Sequence, residues 1–353
     1  PLTNSPAIDA GLRSFDRILA IDGKSTTGMT LSEAASLIKG RRGTFVHIKV
    51  ERGYKKEDAE REVLEFDVKR DKIPLESIRE SRVLDDGIGY IRLSEFNKHS
   101  AGELEERTKK LQAEGMTSLI LDLRWNVGGL LNASKEVTDL FLPKNTLVVY
   151  TEGRDGGKRA SSENMRLYTT RDPVLPPGFP IIILVNQQTA SAAEIVTGAL
   201  QFWSRALIVG ETTYGKGSVQ TIIQLQRPRN SALRLTTALY YTPAEVTIHN
   251  QGIKPDVEVP MDFEHQQALF QQMLESYEDD PSLSNQQNHG GVTGNEVTDE
   301  TVEDTQLKRA AEILREDPVF ENLIEKYHKD TRETQVAASE TPEAETQKHT
   351  QKQ

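Results

Sequence analysis

The chain has 353 residues, 36% of them hydrophobic, and a formal net charge of −11; that length accommodates two or three domains. The charge sits at one end: residues 261–353 hold 21 acidic against 8 basic residues, so the first 260 come to +2. Zero cysteine excludes disulfides, thiol catalysis and cysteine-ligated zinc, no basic cluster points to nucleic acid, and no apolar run reaches the ~18 residues of a membrane span.

The chain opens on Pro1, with neither an initiator methionine nor a signal-like segment, as a fragment or processed form does. Residues 1–70 read as a small β-rich domain. Asp16–Gly23 is a short strand closed by a turn, and Thr30–Gly40 is a helix ended by glycine. Thr44–Val50 alternates apolar and polar residues as a half-buried strand does, and Glu65–Lys69 forms a further strand.

Residues 71–260 read as a β/α core. Gly89–Leu93 is a strand, followed by a charged amphipathic helix near Ala101–Glu114. The apolar strand Ser118–Leu123 runs into Asn126-Val127-Gly128-Gly129, with a helix near Ala133–Leu142. Pro180–Asn186 is almost wholly apolar, which predicts cover on both faces. A helix follows it, then strands over Ala206–Gly210, Ser218–Gln226 and Leu233–Tyr241. Residues 261–328 read as a linker, over Glu278–Thr301, with a helical region, Leu307, Ala310, Ala311 and Leu314 lying at helical spacing. The polar composition of residues 329–353 predicts a disordered tail. Deleting Lys329–Gln353 is therefore expected to leave thermal stability and activity unchanged, and loss of either in the truncated chain counts against this.

The chemistry concentrates in two stretches. In Thr189-Ala190-Ser191-Ala192-Ala193-Glu194, the residues after Ser191 follow one helix face, through Ile195, Val196, Ala199, Leu200 and Trp203. Ser191 thus stands at a helix start, where free N–H groups can hold an oxyanion; Ser191-x-x-Glu194 also fits a plain capping box. Lys216 lies 25 positions further on, between Gly215 and Gly217. It reads either as a surface lysine in a glycine turn or as a base, and a base must be neutral. Burial would favour that form, and the two glycines would let the backbone pass close to another element. A strand starting near Lys216 would put Lys216, Ser218 and Gln220 on one face, with Gln220 an orienting partner or an ordinary polar residue. Gly210-x-x-x-x-Gly215-Lys216 approaches a phosphate-binding loop, but Gly217 stands where that motif needs Ser or Thr, and a strand-like alternation follows. The Asn126–Gly129 turn can offer amides to an anion or serve only as a strand-to-helix turn. The seven histidines are scattered with none at metal-ligand spacing, so no metal and no cofactor is expected.

Together these segments resemble the carboxyl-terminal processing peptidases, or tail-specific proteases, from about Ser5 to Pro260. Leu121–Gly129 is similar to the family's Asp-Leu-Arg-x-Asn-x-Gly-Gly turn, Thr189–Ile195 to its nucleophile segment, Gly210–Gln220 to its lysine segment and Gly252–Asp256 to its closing Gly-Ile-x-Pro-Asp. Trp125 and Val127 replace the commoner Asn and Pro, Ala193 stands in place of a second serine, and Ser14-Phe15 stands where Pro-Gly is usual. The resemblance implies an α/β fold: a ClpP/crotonase-like β/α peptidase core preceded by a PDZ domain, here truncated at its N-terminus so that the first strand and carboxylate-binding loop are missing. It implies Ser191 as nucleophile, Lys216 as general base, Gln220 as orienting residue, and an oxyanion site from a Gly128-Gly129 turn amide with that of Ala192. It further implies protein or peptide substrates recognised through their C-terminal tails, a periplasmic or otherwise exported setting, membrane association included, and a homo-oligomer or adaptor among the partners. Two rivals stand beside it: a PDZ scaffold on a dead core, and an acyl-CoA enzyme on the crotonase architecture, whose chemistry does not need this serine and lysine.

Overall fold

Leu119, Leu121 and Leu123 join one apolar cluster, and Ile120 between them joins another. The same alternation holds in Ile181, Ile183 and Val185 against Ile182 and Leu184. Successive side chains of a strand point to opposite faces, so a continuous apolar run makes a strand buried on both sides. In the computed structural model, which describes residues 5–13, 15–53, 61–73, 76–153, 165–225, 231–276, 302–316 and 322–325, these runs are the centre of the larger of two units. One unit comprises residues 1–75 and 261–303, the other 76–260 and 304–353.

The first unit holds α1 (Pro6–Asp9), β1 (Arg17–Ile21), β2 (Lys24–Ser25), α2 (Leu31–Ile38), β3 (Phe45–Arg52) and β4 (Glu62–Lys69). Its antiparallel sheet runs β2-β1-β3-β4 over a small core of Leu12, Ile21, Val46, Ile48, Val50 and Val68. A reciprocal cap starts α2: the Glu33 carboxylate accepts from Thr30 N at 2.8 Å, and Thr30 Oγ1 accepts from Glu33 N at 3.3 Å. Two otherwise orphaned helix N–H groups are thereby satisfied, worth ~1 kcal/mol against an alanine cap.

The second unit runs β5 (Ile78–Val83), β6 (Ile88–Leu93), α3 (Ser100–Ala113), β7 (Ser118–Asp122), α4 (Leu131–Thr138), β8 (Leu147–Gly153), β9 (Arg166–Tyr168), β10 (Ile181–Val185), α5 (Ala192–Phe202), β11 (Leu207–Gly210), β12 (Ser218–Gln224), β13 (Ala232–Tyr241) and β14 (Val257–Glu258). Its central sheet has the order β14-β11-β10-β7-β6-β5, parallel throughout except for the antiparallel β5. A second, antiparallel sheet has the order β12-β13-β8-β9. The strands β5, β8, β9 and β14 are additions to the elements expected from the sequence.

The segment after residue 260 divides between the units. α6 (Phe263–Ser276) belongs to the first, where its Leu274 lines a cavity of about 800 Å³ with Leu12, Ile38, Val46, Ile48 and Val68. α7 (Thr305–Glu316) belongs to the second, where Ala310, Ala311 and Ile313 pack on the sheet face of Tyr90, Ile120, Ile182 and Leu184. Burying the Ile313 side chain stabilises by roughly 1.5–3 kcal/mol, and each alanine methyl by about 0.8 kcal/mol. The linker expected over Glu278–Thr301 and the tail after Lys329 lie outside the described residues.

Candidate active site

Both chemistry-bearing turns leave the carboxyl ends of neighbouring strands. β7 and β10 pair in parallel, Leu121 opposite Ile183 and Asp122 opposite Leu184. In open α/β sheets the crevice beyond the carboxyl ends of the strands is where ligands bind.

The turn after β7 is held from within. Asn126 is fully buried; its Nδ2 donates to Leu93 O at 2.7 Å, and its Oδ1 accepts from Gly128 N at 2.9 Å. Its carbonyl accepts from Ala190 N at 2.9 Å, which joins this turn to the serine segment. Trp125 N donates to Asn186 Oδ1 at 3.0 Å. The Gly128 N–H is thus committed to Asn126. The N–H groups of Gly129 and Ala192 have no hydrogen-bond partner among the described residues. Gly129, at φ 153°, is pressed on Phe96: a Cβ there would stand 2.1 Å from Phe96 O.

Gly128 abuts the serine directly. At φ 96°, a Cβ on it would lie 2.7 Å from Ser191 Cβ and 2.8 Å from Ala192 N. Real Cβ atoms are not found that close, and an L side chain at this φ is strained as well. Gly128→Ala is expected to displace Ser191 and lower activity about 100-fold, with loss of a few °C in Tm; a variant with wild-type kcat/KM would show that the contact is slack.

Ser191 itself has φ 58° and ψ −116° as the cap of α5, a conformation uncommon for a residue with a side chain. Such outliers persist only where the surroundings over-determine them, and here they do. Ser191 N donates to Glu194 Oε2 at 2.8 Å, and Ile195 N to Ser191 O at 3.1 Å. α5 is buried at every residue from Ala192 to Gln201, which fixes its axis.

Glu194 ties the serine to the lysine segment. Its side chain is fully buried and accepts four hydrogen bonds. Oε2 takes Ser191 N at 2.8 Å and Lys216 N at 2.9 Å; Oε1 takes Thr213 Oγ1 and Gly215 N, each at 2.6 Å. Thr213 Oγ1 in turn accepts from Ile253 N at 2.7 Å. Tyr214 N donates to Thr189 O at 2.9 Å. The capping-box reading of Ser191-x-x-Glu194 covers only one of these four bonds. Nothing in the local spacing signals the other three, because their donors return from about 20 residues away.

The lysine segment passes close to the 249–252 turn. A Cβ on Gly217 would be 2.4 Å from His249 N, and one on Gly215 3.0 Å from Gly252 N. The Lys216 side chain is exposed, as the surface-lysine reading of this glycine turn has it and not as burial of a base would. β12 starts at Ser218, so Lys216 lies outside the strand whose alternation would set a common face with Gln220. Gln220 is exposed on β12 next to a register shift against β13. Among the described residues no hydrogen bond joins Lys216 Nζ to Ser191 Oγ or to Gln220.

Behind the turn lies a buried ionic cluster that the sequence reading missed. Arg124 and Asp122 are both fully buried and paired at 2.7 Å, and Tyr90 Oη donates to Asp122 Oδ2 at 2.7 Å. Burial alone would raise the Asp122 carboxyl, but the Arg124 charge and its hydrogen bonds outweigh this and hold it below the usual carboxylate range. Among the described residues there is no group of acidic or histidine side chains fit to hold a metal.

Comparison with known proteins agrees with this arrangement of segments. The description "Peptidase family S41" matches residues 87–259, and "PDZ domain" matches residues 1–52. The chain is 36% identical over 332 residues to a carboxy-terminal-processing protease of Bartonella bacilliformis, covering 89% of this chain and 70% of that protein. It is 40% identical over 269 residues to a carboxyl-terminal-processing protease of Synechocystis sp., covering 74% of this chain and 58% of the relative. It is 35% identical over 261 residues to the carboxy-terminal processing protease CtpA of Bacillus subtilis, with 74% and 52% covered. The chain therefore spans between half and three quarters of the length of these relatives. Its α/β core, its N-terminal PDZ domain and these identities make it a member of the carboxyl-terminal processing protease family within peptidase family S41.

Proposed function

We propose that the chain is a serine endopeptidase that cuts protein substrates at or near their C-terminal tails. The observation that carries this reading is the buried Glu194 carboxylate, which holds the backbones of Ser191 and Lys216 together beside the Gly128-Gly129 turn. Ser191 Oγ attacks the scissile carbonyl carbon and passes its proton to the neutral Lys216 amine. The oxyanion that forms is held by the N–H groups of Gly129 and Ala192. Lys216 returns the proton to the leaving amine, leaving an acyl-enzyme. Water, deprotonated by the same amine, then releases the acyl group and restores Ser191. Gln220 steadies the lysine amine by a hydrogen bond. Catalytic hydrogen bonds that are open in a free site close when substrate is seated, and an exposed lysine becomes desolvated by a bound chain. Both features fit the exposed position of Lys216.

The test pairs two readouts. Wild type and Ser191→Ala are incubated with a flexible protein, and fragments are mapped by mass spectrometry. In parallel, both are treated with a serine-directed phosphonate. Cleavage towards the C-terminus and labelling, each lost in Ser191→Ala, is the expected result. Equal cleavage by the alanine variant overturns the assignment, and absence of both reactions in wild type favours a binding scaffold.

A further inference from the structure

The ionic cluster behind the catalytic turn is completed from the far end of the chain. Arg124 Nη1 donates to Asp304 Oδ1 at 2.8 Å, and Nη2 to Asp304 Oδ2 at 2.7 Å, a bidentate pair across 180 positions. The guanidinium is fully buried, and the Asp304 side chain is 14% exposed. The same Asp304 Oδ1 accepts from Leu307 N at 2.9 Å, and its carbonyl accepts from Lys308 N at 2.9 Å. Asp304 thus caps α7 with the carboxylate that holds Arg124. Gln306 adds a second tie, accepting from Arg124 Nη1 at 3.2 Å and donating to Val259 O at 2.8 Å.

Arg124 belongs to the turn that leads to Gly128 and Gly129. Its backbone N–H and its side chain both bind Asp122, and its guanidinium lies 5.3 Å from the centre of the Trp125 ring. Arg92 lies 5.4 Å from that ring as well. Trp125, at φ 59°, is the strained residue of the turn. A planar guanidinium gripped by two carboxylates has one orientation; without the Asp304 carboxylate its Nη1 side keeps only the longer 3.2 Å bond to Gln306, so it can tilt about Asp122, and the Trp125 ring and the turn follow.

We propose that Asp304 is a positioning residue for the reaction: through Arg124 it fixes the turn that presents the Gly129 amide to the oxyanion, so that α7 serves acylation and not stability alone. The proposal rests on the serine peptidase reading above. Nothing in it places Asp304 in contact with reacting atoms.

The experiment uses the full chain in a Trp203→Phe background, which leaves Trp125 as the lone tryptophan of the two present. Asp304→Asn, Asp304→Glu and Ile313→Val are compared with the parent well below their Tm values. Ile313 is buried in the apolar cluster between α7 and the sheet and carries no polar group that could bind Arg124, so its variant reports lost packing. For Asp304→Asn, phosphonate labelling of Ser191 and kcat for a peptide are expected to fall about tenfold, as for a small misplacement in a catalytic site, with KM unchanged and Trp125 emission shifted. Asp304→Glu recovers part of the labelling rate, and Ile313→Val lowers Tm while keeping labelling rate, kcat and emission. Asp304→Asn with parental labelling and kcat overturns the inference alone, as does Ile313→Val slowed to the same degree. A parent chain that is not labelled overturns the peptidase reading and takes the inference with it.

Discussion

Ser191→Ala and Lys216→Ala are each expected to lower kcat/KM by ~10⁴-fold or more, with Tm within about 3 °C of wild type. The two losses do not add in the double variant, because nucleophile and base act on one proton transfer. Neither change touches the fold. Ser191 is partly exposed and retains its backbone bonds to Glu194 and Ile195, and the Lys216 side chain is exposed while its backbone N–H stays on Glu194. Lys216→Arg separates charge from chemistry. It keeps the positive charge and much of the length, but a guanidinium does not give up its proton at usable pH, so it is expected to be as inactive as the alanine variant. Substantial turnover by Lys216→Arg removes lysine from the role of base.

Glu194→Gln is the second large effect. The carboxylate accepts at both oxygens, two donors to each. An amide in its place turns an NH₂ group towards at least one N–H, whichever way it is flipped, since Ser191 N and Lys216 N face one oxygen and Gly215 N faces the other. Leaving buried donors unpaired costs ~1–3 kcal/mol each, which corresponds to a Tm loss on the order of 10 °C in a unit of this size. Activity is expected to fall by about 100-fold even at temperatures where the variant is folded, because the serine and lysine backbones lose their common anchor. Thermal unfolding together with kcat at 20 °C checks this. A folded Gln variant with wild-type kcat would show that the α5 helix and the 249–252 turn hold the two segments without it.

The parts of the fold that could be read in advance were those written into short windows. The largely apolar runs Ser118–Leu123 and Pro180–Asn186 appear as β7 and β10, and the periodic stretch after Ser191 as α5, because burial on both faces or on one stripe leaves its period in the sequence. Features assembled from distant residues left no such trace. Glu194 looked like a cap because three of its donors come from Thr213, Gly215 and Lys216. Asp304 lies 180 positions from Arg124, in a stretch read as linker and helix, and only the pairing itself reveals its part. Lys216 stood open between a surface lysine and a base that burial would keep neutral; the glycines beside it serve a close backbone passage past His249 and Gly252, and its side chain lies outside. The common face with Gln220 rested on a strand starting near Lys216, and β12 starts at Ser218.

The parallel pairing of β7 with β10 also bears on how this protein tolerates change. The distance between the Gly128-Gly129 turn and the Ser191 turn is set by the backbone ladder between adjacent strands, ~4.8 Å apart whatever their side chains. Volume-conserving exchanges among Leu119, Leu121, Ile181 and Ile183 alter packing by modest amounts while the two turns stay in step. The variation such a scaffold can absorb lies in its core, and the positions it cannot vary are the small residues where one turn rests against the other.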